Sequence, residues 1–278
     1  MTVLESAWWA QRQARAAQPP LRPRAALFID GCASPVGSIE APLADALRAA
    51  GLPLVQQGEA ERVSGDADAA LARIAQWLFA QGLCGKWRGE LLAVTDESLQ
   101  RRAVVERAAV RPLGIATFAV HLVGFSGTGD IWVQQRALDK AVDPGRWDTL
   151  VGGLIAADED DALALERETW EEAGLRLHAL QACATADRIT VRHPVHEGYM
   201  VEHIDIFEAV VPDGTRPANQ DGEVARFDCV APGELIERLA AGAFTLEAGL
   251  VLMRCLERRG LIPGLRAAAP QGFALRCR

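Results

Sequence analysis

The chain has 278 residues, of which 50% are hydrophobic and 24% charged, and its formal net charge is −8. The length suits two domains or one large domain, and the composition is that of an ordinary globular protein. An acidic chain argues against general nucleic-acid binding, because phosphate contacts need a basic face. The sequence has no signal peptide pattern and no apolar run long enough to cross a bilayer, so we expect a cytoplasmic protein without membrane association. The six cysteines form no C-x-x-C pair, which predicts neither a disulfide framework nor a zinc knuckle.

The first 112 residues alternate between predicted helices and strands. We expect helices over residues 1–20, 41–50 and 66–81, strands over residues 25–30 and 91–94, and a helical patch ending near Arg107. Pro112 and Gly114 then interrupt the pattern, as residues between domains often do. The chain is therefore predicted to have a smaller mixed α+β domain over residues 1–112 and a second domain over residues 113–278.

The second domain is predicted to be richer in strands. We expect strands over residues 116–124, 130–136, 181–192, 199–211 and 227–230, with residues 147–154 leading into a central helix that ends just before Gly174, and helices over 235–241 and about 245–259. Strands on both sides of a central helix are typical of an α/β architecture.

The central helix carries an acidic stripe. At 3.6 residues per turn, Glu168, Glu171 and Glu172 share one face, and Gly174 is placed to end the helix. The other face is expected to dock on the core through four residues, which are Ala162, Leu163, Trp170 and Ala173. Each like-charge pair on a helix costs roughly 0.2–0.5 kcal/mol. Divalent cations would turn that cost into a binding site, because Mg2+ prefers carboxylate and carbonyl oxygens; a solvated acidic helix is the simpler reading of the stripe alone.

The residues around the stripe favour the metal site. From Gly153 the chain reads G-x5-E-x7-R-E-U-x-E-E-x-G-U, where U is an apolar position, and ends at Leu175. This string resembles the Nudix box at every fixed position; Thr169 stands where the first apolar residue is expected. The resemblance implies an α/β/α sandwich, here preceded by the smaller α+β domain, and a hydrolase of phosphoanhydrides that uses Mg2+ or Mn2+.

The resemblance also implies roles for the residues of the box. Glu168 and Glu172 would be the principal metal ligands, Glu171 would share a cation or a bridging water, and a backbone carbonyl of Gly152 or Gly153 would add an oxygen. Arg167 would hold the glutamates in place, with Glu159 as its partner. A pair of glycines lets the backbone approach a metal or a phosphate closely.

Stretches outside the box are similar to a narrower group. They are LCGKWRGELL from residue 83, ERAAVRPLGIATFAVHLV from residue 106, DKAVDPGRWDTLVGG from residue 139 and QDGEVARF from residue 220. Together they resemble the Nudix proteins related to the N-terminal part of certain thiamine pyrophosphokinases. That resemblance implies hydrolysis of thiamine diphosphate, or its oxidised oxo and oxy analogues, to the monophosphate and phosphate.

Other residues are candidates for the same site. Glu223 lies where many Nudix enzymes place a catalytic loop glutamate, with Asp221 as the alternative and an ordinary turn as the simpler reading. Arg136 and Lys140 precede the box and are predicted to bind the diphosphate, and Tyr199 to contact the substrate. A zinc site is the weaker reading of three nearby histidines, His193, His196 and His203, because their spacing is not usual for ligands.

The alternatives left open concern both chemistry and assembly. A nucleotide-sugar or dinucleotide diphosphatase fits the box equally well, because the box fixes the reaction and not the leaving group. An isomerase of isoprenoid diphosphates is disfavoured because no catalytic cysteine can be placed. A non-catalytic ligand-sensing domain is disfavoured because no box carboxylate is lost. Relatives of this kind are often dimers, so a homodimer stays open.

Overall fold

A computed structural model describes residues 3–262 of the chain. Met1 and Thr2, which begin the helix predicted over residues 1–20, lie outside this range. So does Cys277, one of the six cysteines. The helices are α1 Val3–Arg15, α2 Ala41–Ala49, α3 Ala67–Ala80, α4 Asp161–Ala173, α5 Pro232–Ala240 and α6 Leu246–Arg258. The first strands are β1 Arg24–Ile29, β2 Gly37–Glu40, β3 Leu54–Gln57, β4 Ala60–Val63, β5 Leu91–Thr95 and β6 Arg101–Glu106. The later strands are β7 Thr117–Phe125, β8 Ile131–Arg136, β9 Trp147–Asp148, β10 Val151–Leu154, β11 Gln181–Val195, β12 Gly198–Val210 and β13 Val224–Val230. Within residues 3–262 we find no helix with the length and apolarity that a bilayer crossing needs.

The first part of the chain forms a four-stranded sheet and a separate hairpin. The sheet order is β2-β1-β4-β3, with β1 and β4 parallel. Its core combines sheet residues such as Leu27 with apolar residues of both helices, Leu47 from α2 and Leu71 and Ile74 from α3, all fully buried. Among the described residues, strands β5 and β6 pair only with each other, as an antiparallel hairpin.

The predicted helical patch ending near Arg107 is wrong. Residues 101–106 form β6, and only a short 3-10 turn, Arg107–Ala109, follows it. Ala103 and Val105 alternate toward the buried side of the hairpin. This period of two, together with the β-branched Val104 and Val105, favours a strand as soon as β5 is available as a partner.

The second part of the chain is built on a seven-stranded sheet. Its main path is β11-β12-β7-β8-β13, while β10 pairs with β7 and β9 pairs with β8. One face packs against α4, where Val120 and Leu122 of β7 meet Leu165. The other face packs against α6 and α1, where Ile204 meets Leu252 and Trp9. The predicted α/β/α sandwich with a smaller α+β part before it is therefore confirmed.

The box helix α4 has the predicted ends but buries a different face. Asp160 caps its N-terminus by accepting a hydrogen bond from the N–H of Leu163 at 2.9 Å, and Gly174 ends it with a φ of +63°. Leu163 and Trp170 were expected to dock on the core, yet they are 58% and 39% exposed. The buried residues are Ala164, Leu165, Thr169, Glu172 and Ala173. The side of the helix that carries Glu168 and Glu172 packs against the glycines of β10. The Leu163–Trp170 side therefore faces solvent.

Contacts across residue 112 join the two parts. Arg111 forms a 2.8 Å ion pair with the buried Glu202 of β12, whose carboxylate also accepts a 2.8 Å hydrogen bond from Thr117. Burial alone would raise the pKa of Glu202, but Arg111 and Thr117 leave it below its ordinary value. Leu154, at the end of β10, packs against the cores of both parts. The domain boundary near residue 112 stays a prediction.

Candidate active site

Two glycines of β10 bring the backbone of that strand against two glutamates of α4. Gly152 and Gly153 pair with β7 opposite His121 and Val120. The N–H of Gly152 donates a 2.9 Å hydrogen bond to Oε2 of Glu172. The carboxylate of Glu168 lies so close to Gly153 that a methyl group at that position would overlap it. A glycine is therefore required at residue 153 for Glu168 to occupy its position.

Arg167 ties the box together. Its Nε and Nη2 donate to the carboxylate of Glu159 at 2.6 and 2.8 Å. Its Nη1 donates to Glu168 at 2.7 Å and to Glu171 at 3.2 Å. Its Nη2 also reaches the carbonyl of Leu154 at 3.1 Å. A planar guanidinium can bind several oxygens in a fixed fork, so this single side chain sets the spacing between β10, the loop before α4 and the acidic stripe.

Glu172 is the most deeply buried carboxyl of the box, at 2% exposure. Burial raises its pKa to about 8, and the charge of Glu168 adds to this effect. Burial also raises the pKa of Glu168, although Arg167 opposes the shift. Gln134 of β8 donates a 2.9 Å hydrogen bond to Oε2 of Glu172. Its own Oε1 is buried and has no hydrogen-bond partner among residues 3–262.

Glu223 and Lys140 face each other at a second edge of this site. Lys140 forms an ion pair with Glu223, and the carbonyl of Glu223 accepts a 2.9 Å hydrogen bond from the N–H of Ala137. Burial alone would raise the pKa of Glu223, but the bond from Lys140 leaves it below its ordinary value. Arg136 is held by Asp148 at 3.2 Å and by the carbonyl of Val142 at 3.1 Å. Lys140 and Arg136 are thus both engaged by acceptors of the chain itself.

Glu168 and Glu223 lie on the same site. The negative charge of Glu223 contributes to the raised pKa of Glu168, which places the two carboxylates within electrostatic range of each other. The structure thus brings together seven of the predicted residues: Arg136, Lys140, Gly153, Arg167, Glu168, Glu172 and Glu223. Glu171 contacts Arg167 from the solvent side, with its side chain 42% exposed.

Tyr199 lies elsewhere. Its hydroxyl donates a 2.8 Å hydrogen bond to the carbonyl of Gln18. It lines a cavity of about 560 Å³ together with residues such as Arg24, Glu40 and His196, and no glutamate of the box lines this cavity. β12 carries Tyr199 to the junction with residues 20–24 and 112, so substrate contact by Tyr199 stays a prediction.

The alternatives to the predicted residues are also placed by the structure. Asp221 accepts a 2.8 Å hydrogen bond from the N–H of Glu223 and so shapes the turn. His193 contacts Glu247 at 3.5 Å, and His203 stacks on Phe118 with 5.2 Å between ring centroids. Among residues 3–262, no three histidine, cysteine, aspartate or glutamate side chains stand close enough to hold a metal ion as they are. In the box, Glu168 and Glu171 are instead hydrogen-bonded to Arg167.

Two groups beneath the site were missed by sequence reasoning. One is Gln134. The other is a hydrogen-bonded series in which the hydroxyl of Thr149 donates to the carbonyl of Val151 at 2.8 Å and contacts Nδ1 of His121 at 2.9 Å. Since the Thr149 hydroxyl has a single hydrogen, His121 must donate from Nδ1. The sequence signal was a polar side chain at a position where the strand pattern expects an apolar one.

Residues 114–249 match the NUDIX domain family. Over 87 residues the chain is 38% identical to an uncharacterized Nudix hydrolase of Pseudomonas aeruginosa. This aligned region covers 31% of this chain and 52% of that protein. Over 158 residues it is 32% identical to an isopentenyl-diphosphate Delta-isomerase of Streptomyces coelicolor, which covers 56% of this chain and 78% of that protein.

The fold has a counterpart among solved structures. The structure of DR0079 from Deinococcus radiodurans superposes with a TM-score of 0.50 at 21% identity, covering 60% of this chain and 99% of that one. The chain spans about half the length of the curated Nudix hydrolases that it matches, 52%, 54% and 43%. The chain belongs to the Nudix family, and its NUDIX domain occupies residues 114–249.

Proposed function

We propose that this chain is a diphosphohydrolase that depends on Mg2+ or Mn2+ and cleaves a phosphoanhydride bond in a small molecule. The observation that carries the proposal is the meeting of Glu168 and Glu172 with the glycine backbone of β10. Hydrolysis of a diphosphate needs negative charge neutralised at two phosphates and a water held in line with the bond that breaks. The residues around Gly153 can serve both needs.

The donor set fits a hard divalent cation. Glu168 and Glu172 are carboxylates whose burial raises their pKa, and a cation beside them would favour their ionised forms. Glu168, Glu171, Glu172 and the carbonyl of Gly153 would hold the metal, and all are oxygen donors, as Mg2+ requires. The bound metal would neutralise the diphosphate and lower the pKa of a water molecule.

The protein's own groups then have separate tasks. Arg167 keeps Glu168 and Glu171 at fixed positions through its bond to Glu159. Glu223, whose pKa lies below its ordinary value, is ionised at neutral pH and acts as the general base, a role worth about 10²–10⁴-fold in rate. Lys140 and Arg136 bind phosphate oxygens when a substrate takes the place of their present acceptors.

Thiamine diphosphate and its oxidised analogues are the substrates we propose. The support is the similarity of four stretches outside the box, given above, to Nudix proteins related to thiamine pyrophosphokinases. The products would be the monophosphate and phosphate. We also keep the cytoplasmic location and a homodimer as predictions.

A substrate panel tests the proposal. Purified protein with Mg2+ is incubated with thiamine diphosphate, its oxo and oxy analogues, ADP-ribose, dinucleotides and NADH. Phosphate is measured directly, or after a phosphatase has released it from monophosphate products. Turnover of a thiamine compound that is absent in Glu172→Gln supports the proposal. Faster turnover of ADP-ribose or a dinucleotide would replace the substrate by the nucleotide alternative, and undiminished turnover after chelation of metal would reject the mechanism.

An isomerase is the second candidate. Three relatives with the printed name isopentenyl-diphosphate Delta-isomerase are 31–32% identical to this chain and are covered over 78–79% of their length. Against this candidate, the cysteines of the described residues are Cys32, Cys84, Cys183, Cys229 and Cys255, and none contacts the box. Incubation with isopentenyl diphosphate decides the question, because isomerisation moves a double bond and releases no phosphate.

A further inference from the structure

A hairpin that precedes the NUDIX domain is fixed to the loop that leads into the box helix. The N–H of Ala157 donates a 2.8 Å hydrogen bond to the carbonyl of Leu91 in β5. From β6, Nη1 of Arg101 donates a 2.7 Å hydrogen bond to the carbonyl of Ala157. Ala157 lies two residues before Glu159, the partner of Arg167. The hairpin therefore stands directly beside the arginine and glutamates of the box.

The hairpin brings an arginine to the edge of the site. Leu91 pairs with Glu106, so the next residue, Arg107, follows at the end of the hairpin that meets the box. The N–H of Arg107 donates to the carbonyl of Glu90 at 2.9 Å, and its Nη1 forms a 2.8 Å ion pair with the Glu90 carboxylate. The two side chains are 39% and 28% exposed. This pair is therefore held in place by backbone bonds and is open to solvent.

The charge of Arg107 also affects the pKa of Glu223. Together with Lys140 and Arg136, it counteracts the effect of burial on the pKa of Glu223. This effect agrees with the position of Arg107 at the end of the hairpin that is bonded to Ala157. Residue 107 lies before residue 114, where the match to the NUDIX domain begins. The site accordingly has one wall from the NUDIX domain and another from the preceding residues.

We infer that Arg107 is a substrate-binding residue contributed from outside the NUDIX domain, and that it takes an oxyanion of the diphosphate substrate. Arginine is suited to this because its guanidinium binds phosphate oxygens in pairs. Of the three cations, Arg107 is the one that precedes the NUDIX domain, whereas Arg136 and Lys140 lie within it. The residues before the NUDIX domain thereby gain a role in substrate selection. This inference rests on the proposed function for the identity of the ligand.

Binding of a diphosphate that cannot be hydrolysed tests the inference separately from catalysis. Methylenediphosphonate is titrated into the full chain in the presence of Mg2+, and the dissociation constant is measured by calorimetry. Arg107→Gln should weaken binding about tenfold, which corresponds to about 1.4 kcal/mol, and Arg107→Lys should restore part of the loss. Arg102→Gln is the matched control, because Arg102 lies on the same hairpin and pairs with Asp96 at 2.6 Å. That control removes the same charge and should leave binding unchanged.

Glu90→Gln separates substrate binding from a structural role. It breaks the ion pair but leaves the cation in place, so binding should be unchanged or tighter. If the Arg107–Glu90 pair only supported the hairpin, Glu90→Gln would weaken binding as much as Arg107→Gln does, and the inference would be overturned. Wild-type affinity in Arg107→Gln, or no binding by the wild type, would overturn it as well. If the variants show the expected differences in binding but the protein turns over no substrate of the panel, the inference stands and the proposed function is rejected.

Discussion

The carboxylate of Glu168 occupies the space that a side chain would need at Gly153. This contact explains why the box begins with a glycine fifteen residues before the glutamate. The consequence can be measured, because the smallest possible side chain at residue 153 must displace the carboxylate or the strand.

Gly153→Ala should therefore lower kcat by about 10²-fold, the cost expected for a displacement of roughly 1 Å in a catalytic group. Steady-state kinetics on the best substrate of the panel provides the measurement. Gly233→Ala is the matched control, since a Cβ at Gly233 meets no atom within 4 Å and the backbone there is not left-handed. Equal activity of the two variants would mean that Glu168 does not need its present position.

Glu172→Gln should lose nearly all turnover and also change the pH dependence of stability. The folded pKa of Glu172 is raised to about 8 from an ordinary 4.5. Between these values the unfolded chain releases the proton while the folded chain keeps it, so the stability of the metal-free protein falls as pH rises. The variant lacks this penalty, each pH unit of which amounts to about 1.4 kcal/mol.

Thermal unfolding in EDTA checks this prediction. Glu172→Gln should melt at least about 3 °C above the wild type at pH 8, with little difference at pH 4.5. Added Mg2+ should raise the melting temperature of the wild type more than that of the variant. A variant that is less stable than the wild type at pH 8 would contradict the assignment of a raised pKa.

Arg167→Lys should weaken metal binding and activity by about 10–100-fold, as is typical for residues that orient metal ligands. Lysine keeps the charge but cannot reach Glu159, Glu168 and the carbonyl of Leu154 at once. Titration with Mn2+ followed by electron paramagnetic resonance reports the metal affinity directly. Arg176→Lys is the control, because Arg176 stacks on Trp170, 3.9 Å from the ring centroid, and its ion pair is with Glu166 and not with a predicted metal ligand. A metal affinity of Arg167→Lys equal to that of the control would remove Arg167 from the site.

Lys140→Gln should move the acidic limb of the pH profile of kcat/KM to higher pH. A general base must be ionised, and Lys140 holds the pKa of Glu223 below its ordinary value against the effect of burial. Without that cation the carboxylate gains its proton at a higher pH, so activity is lost earlier on acidification. Arg226→Gln is the control: Arg226 lies on β13 and is bonded to Gln135 at 3.0 Å, so this change should leave the limb in place. An unmoved limb in Lys140→Gln together with full activity of Glu223→Gln would point to another base.

The acidic box could be predicted from the sequence because its geometry is local. The distances among Arg167, Glu168 and Glu172 follow from helix periodicity, and the glycines fix how closely β10 approaches. The orientation of α4 could not be predicted in the same way. Leu163 and Trp170 suggested an apolar docking face, but the contact with β10 placed Glu172 inside the protein and left those two residues outside.

Other parts of the site come from long-range contacts that no local pattern encodes. Gln134 reaches Glu172 from β8, and Arg107 lies near the loop before α4 because β5 pairs with β6 and Leu91 of β5 bonds to Ala157. The strand β6 itself was misread because a run such as RRAVVE has no helical or strand preference that decides without its partner. The position of Tyr199 is also set by long-range contacts, since its hydroxyl bonds to the carbonyl of Gln18.

Leu154 has one further consequence. It follows the glycine pair directly and inserts into the cores of both parts of the chain. A shortened protein that began at residue 113 would leave this leucine half uncovered and Ala157 without the acceptor that Leu91 provides. Removing the residues before 113 would thus take away a hydrogen-bond partner of the loop that carries Glu159.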